Sequence, residues 1–454
     1  MLQCHRRRGI AAPNGRMYMH FARKTGIIGL TLLAIVPLCS CGGGAGSTGL
    51  ATPTLTLWQL PPEFTQTAPP TMTFTPSPRV SPTPTVPELQ SAAAVPLAAG
   101  WKHTCAIASE GGVMCWGENE NGQLGDGSRT DRNRPVDVMN IDVAAAAVAA
   151  GSAHSCILTE EGGVKCWGRN LEGQLGDGTA ERSSEPVNVA GLESGVAAIA
   201  AGDYHTCALM ETGSVMCWGL NESGQLGDGT FDSRSTPVEV QLGEAVATGV
   251  TAGTAHSCAS TTSGEVLCWG SNQYGQLGDG SEDPSRAVPS AVTGFSEGFT
   301  VLSGKGDRTC VQGVDGMLYC WGQNKYGELG DGTHDMQPIP VLDSVVAEPV
   351  KVFGIGWSHT CGVMTDDTLF CWGWNFYGQL GEGSTANRRE PDQVQGLEGI
   401  PMYVVGGGGH TCAILEDASV DCWGWNESGQ LGNYTNDDSL LPAKVFSLTA
   451  MLPD

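Results

Sequence analysis

Three regularities predict an all-β chain folded as a seven-bladed β-propeller, with four antiparallel strands and about 51 residues per blade. A Cys-x9-Cys-Trp-Gly unit recurs seven times, its first cysteines falling at Cys105, Cys156, Cys207, Cys258, Cys310, Cys361 and Cys412. The 65 glycines and 12 tryptophans, against 16% charged residues, suit short strands and tight turns better than helices. Each unit also carries turn signals that cut it into four strand-sized pieces.

The order of elements begins with a secretion signal. Basic residues Arg6, Arg7, Arg8, Arg16, Arg23 and Lys24 precede an apolar run from Gly26 to Leu38, the pattern of an export peptide that is removed rather than folded. A start at Met17 or Met19 would shorten its basic region to ordinary length. The run ends in Leu38-Cys39-Ser40-Cys41-Gly42, which resembles a bacterial lipobox and makes Cys41 the expected lipid attachment point. An ordinary cleaved signal is the alternative. Residues 1–41 are thus read as signal, and residues 42–97, rich in Pro, Thr, Ser and Ala, as a linker. Residues 98–454 form the propeller.

Charge divides along the same boundary. The first 97 residues hold seven Lys and Arg and two Asp and Glu, leaving 16 basic and 46 acidic side chains, a net of −30, for the rest. Such a surface repels phosphate backbones, so nucleic acid is excluded as a partner.

Within a unit the order is a small-residue strand, Gly-x-x-His-Thr-Cys, a glycine turn, Val-x-Cys-Trp-Gly-x-Asn-x-x-Gly-Gln-Leu-Gly-Asp-Gly, a polar stretch, and Pro-Val. Small residues such as Ala144 to Gly151 suit the crowded strand nearest the axis. No terminal unit has a distinct capping sequence, so a closed ring is preferred to an open solenoid. The last unit ends near Pro442, and its final strand can either complete blade seven or pair into blade one.

The cysteine spacing tests the strand assignment. Cys105 and Cys115 are centred on the turn at Glu110, so an antiparallel hairpin places them opposite one another, within disulfide reach. The same holds for Cys156 and Cys166, Cys207 and Cys217, Cys258 and Cys268, Cys310 and Cys320, Cys361 and Cys371, and Cys412 and Cys422. Zinc would favour cysteines two to four residues apart. Export favours disulfides, and the remaining Cys4, Cys39 and Cys41 lie in the signal region.

These motifs resemble the regulator of chromosome condensation repeat family, with the signature Cys115-Trp116-Gly117-Glu118-Asn119-Glu120-Asn121-Gly122-Gln123-Leu124-Gly125-Asp126-Gly127 recurring in all seven units with small changes. The resemblance spans residues 98 to about 448. It implies a propeller whose eukaryotic founder exchanges guanine nucleotide and binds nucleosomes. The near-constant period leaves no space for the inserted wedge that exchange uses, and the acidic charge opposes chromatin. The family also includes secreted bacterial propellers, among them an inhibitor that grips β-lactamases with a broad face of its ring. That member is the nearer analogue, although a shared fold does not carry function.

Departures from the repeat locate its specialised parts. Blade five has Arg308 where the others have His103, His154, His205, His256, His359 and His410, and Glu328 where the others have Gln. Blade six has Glu382, and blade seven Asn433-Tyr434, in place of Asp-Gly. A histidine present in nearly every blade is expected to serve packing rather than catalysis. The Asp-Gly pairs suit tight turns, with no calcium-loop pattern beside them. No nucleophile elbow, phosphate loop or zinc-protease motif occurs, and no enzyme, cofactor or metal is expected. The Gly-x-x-His and Asn-x-x-Gly-Gln loops should share one face, where Trp101, Trp357, Trp374, Phe376, Tyr377, Trp425 and Tyr434 are the candidate partner-binding residues, some of which could instead pack between blades. The sequence therefore predicts a monomeric, membrane-tethered, extracytoplasmic module that binds a protein of unspecified identity. A structural envelope component and a nucleotide exchange factor are the alternatives.

Overall fold

The computed structural model describes residues 96–294, 298–343 and 348–452. The expected signal, Cys41 and all but the end of the expected linker lie outside the described residues. Within them the chain forms seven four-stranded antiparallel sheets, each ordered from inner to outer strand in sequence order. In blade one these are β1 (Leu97–Ala99), β2 (His103–Ile107), β3 (Val113–Gly117) and β4 (Arg132–Asp137). Blades two to seven repeat the plan over Ala145–Asn188, Val196–Glu239, Ala247–Ala291, Phe299–Leu342, Val350–Gln393 and Pro401–Lys444.

Each motif residue has a mechanical task. The innermost strands are built from small residues, as in Ala145–Ala150, because seven of them converge on the axis. The outermost strands present unpaired edges, and each carries proline (Pro135, Pro186, Pro237, Pro289, Pro340, Pro391 and Pro442). Its missing N–H blunts edge pairing. The Trp of Cys-Trp-Gly is fully buried in all seven blades and belongs to the cores between them, Trp167 packing with Leu124 and Val138 of blade one.

The second and third strands of each blade align the cysteines in direct register, from Cys105 opposite Cys115 to Cys412 opposite Cys422. All seven pairs form disulfides, with Cα atoms 4.1 Å apart.

Blades are sewn together by a repeated hydrogen-bond knot. His103 Nε2 meets Ser155 Oγ of blade two at 3.0 Å, Ser155 Oγ donates to the Gln123 carbonyl at 2.9 Å, and Trp167 Nε1 donates to the same carbonyl at 2.9 Å. The ring closes with the same knot between blades seven and one: His410 Nε2 to Thr104 Oγ1 at 2.9 Å, Thr104 Oγ1 to the Gln430 carbonyl at 3.0 Å, and Trp116 Nε1 to that carbonyl at 2.9 Å. Both routes left open by the sequence are used. Ser439–Lys444 completes blade seven, and the tail beyond it reaches blade one, where Met451 N–H donates to the Ile107 carbonyl at 2.8 Å and Ser109 N–H to the Thr449 carbonyl at 3.0 Å.

Candidate interaction face

The first-to-second and third-to-fourth strand connections of every blade emerge together. The residue after Trp-Gly donates its N–H to the carbonyl before the histidine, as from Glu118 to Lys102 at 2.8 Å, and Gln323, Trp374 and Trp425 repeat the bond to Asp307, Ser358 and Gly409. The motif Asn shapes the longer loop. Asn119 Oδ1 accepts from Leu124 N–H at 3.0 Å, and its Nδ2 donates to Asp126 at 3.0 Å. Asp126 is further held by Ser128 and Arg132, so its carboxylate is a loop brace.

The six histidines are fully buried. Burial drives His103, His154, His256 and His410 down to about 3 and His205 to about 4, and holds His359 well below its usual value. They are neutral hydrogen-bond partners rather than proton carriers at physiological pH.

Blade five replaces this arrangement. In the other blades a glycine stands opposite the histidine, and a Cβ there would come within 2.1–2.2 Å of imidazole Cε1. With Arg308 in the histidine position, the glycine position is free to carry Lys305. Arg308 reaches the Thr360 hydroxyl at 3.2 Å and the carbonyls of Trp357, at 3.1 Å, and His359. Burial lowers its pKa to about 10, and nearby Glu328 opposes the shift. Lys305 extends into the axial funnel toward the carbonyls of Ala99 and Ala150. Burial lowers its ammonium to about 8, against the pull of Asp203. Trp101 and Trp357 line the same funnel and meet edge to face at 4.7 Å. The remaining cavity is about 10 Å³, room for about one water molecule.

Four of the seven aromatic candidates form one cluster on the loop face. Tyr377 stacks on Trp425 at 4.7 Å, meets Trp374 at 5.5 Å and Phe376 at 5.0 Å. Phe376 is 65% exposed. Tyr326 of blade five, absent from the sequence-based set, extends the arc by stacking on Trp374 at 6.0 Å. Its signal was available, since Tyr326 occupies the repeat slot of Tyr377. Lysines cap both ends: Lys325 lies 5.1 Å from the Tyr326 ring centre, and Lys102 lies 4.2 Å from that of Trp425 and 3.3 Å from Glu427. Trp101 and Trp357 belong to the funnel, Trp357 Nε1 donating to Thr254 Oγ1 at 3.2 Å. Tyr434 stands apart, beside Phe446 and Arg134.

Comparison with known proteins agrees with this architecture. The RCC1-like domain matches in two overlapping passes, over residues 39–340 and 142–452. The Ultraviolet-B receptor UVR8 of Arabidopsis thaliana is 32% identical over 360 residues, covering 78% of this chain and 82% of that protein. Human E3 ubiquitin-protein ligase HERC2 is 29% identical over 76% of this chain but is spanned over only 7% of its own length. The structure of Prp20p from Saccharomyces cerevisiae, described together with its binding to Gsp1p and histones, superposes with a TM-score of 0.63 at 21% identity, covering 77% of this chain and 86% of that one. The fully buried Trp-Gly signature, the seven four-stranded blades and these matches establish that the chain belongs to the RCC1-like propeller family.

Proposed function

We propose that this protein is an extracytoplasmic, membrane-tethered binding propeller that holds a protein partner through the aromatic arc of blades five to seven. The arc of Tyr326, Trp374, Phe376, Tyr377 and Trp425 carries this reading. Its rings brace one another while Phe376 remains 65% exposed, so large apolar contacts are presented with little ordering cost on binding. The seven disulfides suit an oxidising compartment, and the export signal with Cys41 at its lipobox supplies the tether. A family relative described as binding Gsp1p and histones supports protein recognition as the type of activity. The secreted β-lactamase inhibitor supports a blocking role. Catalysis by the repeated histidines is disfavoured by their burial in blade-to-blade bonds.

The test is affinity capture of cell-surface proteins on the mature chain. Recovery of one stoichiometric partner, lost with Trp374→Ala/Phe376→Ala, supports the reading. Recovery of none favours a structural envelope component. Loss of detergent partitioning in Cys41→Ser supports the tether, and unchanged partitioning refutes it.

A further inference from the structure

Tyr434 breaks the repeat at a position where the backbone asks for glycine. Six blades place Gly127, Gly178, Gly229, Gly280, Gly332 or Gly383 there, with φ between 70° and 89°. Blade seven places Tyr434 there with φ 66°, the left-handed region that a bulky residue rarely adopts. The backbone gains nothing from the exchange. Tyr434 N–H donates to the Asn133 carbonyl at 2.8 Å, as Gly127 donates to Ser184 at 3.0 Å and Gly178 to Ser235 at 2.9 Å.

Burial does not explain the side chain either. Tyr434 is 48% exposed, next to a 50% exposed Phe446. Its hydroxyl lies 3.5 Å from Ser447 Oγ, and the Arg134 guanidinium 6.0 Å from its ring centre. An exposed aromatic held in an unfavourable conformation is the kind of strain that gathers at ligand-binding sites.

Beside it, at the seam of blades seven and one, lies a groove of about 280 Å³ lined by Asp131, Arg132, Asn133, Arg134, Ser428 and Asn436. Every lining residue is polar. Asn133 and Asn436 bond to each other at 3.0 Å, and Arg132 is paired with Asp126 at 2.8 Å. The exposed Arg134 side chain makes no hydrogen bond or ion pair to another described residue, which leaves its donors free for a ligand.

We infer that this seam is a saccharide-binding site, separate from the aromatic arc. A protein partner needs an apolar centre built from several side chains, which this groove lacks. A sugar ring has one C–H face to lie on a single phenol and a rim of hydroxyls for carboxylate, amide and guanidinium groups. Arg134 favours a sugar bearing a carboxylate, which its fork can grip bidentately.

The experiment screens the mature protein on an array of neutral and acidic oligosaccharides and measures affinities for those retained. Acidic oligosaccharides are expected to bind, and Tyr434→Gly and Arg134→Gln each to weaken them about tenfold or more. Tyr434→Gly should melt at the wild-type temperature or above, since glycine is the residue of the other six blades. Phe376→Ala should bind saccharide normally, which separates this site from the proposed function. Absence of retention at millimolar saccharide, or wild-type affinity in Tyr434→Gly, overturns the inference.

Discussion

Lys305 and Arg308 face each other across the inner hairpin of blade five, where every other blade sets a glycine against a histidine. The two substitutions depend on each other. An imidazole at position 308 would meet the Cβ of Lys305, as the close approach of 2.2 Å at Gly100 demonstrates, and a glycine at 305 would leave the axial funnel without its ammonium. Arg308→His alone is expected to cost about 2–4 kcal/mol through overpacking against Lys305 and loss of the buried Arg308 hydrogen bonds to Trp357, His359 and Thr360. Adding Lys305→Gly should recover part of that loss. Denaturant unfolding of both singles and the double measures the coupling, and strict additivity would show the pair to be independent.

The buried histidines fix the sign of the pH response. Five of their folded pKa values are about 3 to 4 and His359 is held well below its ordinary value, all under the unfolded value of about 6.5. The unfolded chain therefore binds more protons between those limits, so stability is fully present above pH about 6.5 and falls as pH drops toward 4. Asp307, raised to about 6 by burial and by Asp203, acts in the opposite direction, as do Asp203, Glu118, Glu328 and Asp421, all raised by burial, but the six histidines outnumber these five carboxyls. Melting temperature should decline steadily from pH 7 to pH 4. A flat profile would mean that the imidazoles are not held neutral in the fold.

Disulfides are expected to contribute blade by blade. Replacing Cys207 and Cys217 together by serine opens a short loop in the middle of the ring and should cost about 2–3 kcal/mol. The other six bridges should persist, so alkylation without reduction should label no propeller cysteine in this variant. Labelling of further cysteines would show that the pairs do not form independently.

The C-terminal tail is predicted to act as a clasp on blade one. Leu448 and Ala450 are buried, and Met451 and Thr449 bond to Ile107 and Ser109. Truncation after Ser447 should cost about 2–4 kcal/mol, measured as a lower denaturant midpoint. An unchanged midpoint would assign closure entirely to the knot of His410, Thr104 and Trp116.

Much of the architecture was legible because its causes are local and repeated. The cysteine register follows from symmetry about a turn at Glu110, and the strand order from glycine and proline punctuation. The functional elements were only partly legible, because they depend on which blades become neighbours in the ring and on where loop side chains turn. Trp101 and Trp374 carry the same residue type in loops of one face, yet one fills the funnel and the other joins the arc. Lys305 was invisible to a reading that followed Arg308 alone, since its role appears only when the space beside a missing imidazole is seen. Tyr434 stood out as an exception to Asp-Gly, but the strain that gives it meaning lies in its φ angle.

Binding through the arc is tested most directly by the affinity of the captured partner for three forms of the mature protein: wild type, Trp374→Ala/Phe376→Ala, and Val314→Ser in a hairpin turn on the opposite face. The double variant should bind about 100-fold more weakly, as expected for loss of two aromatic anchors, while melting near the wild-type temperature, and Val314→Ser should bind as wild type. Full affinity in the double variant, or loss confined to Val314→Ser, would contradict the account.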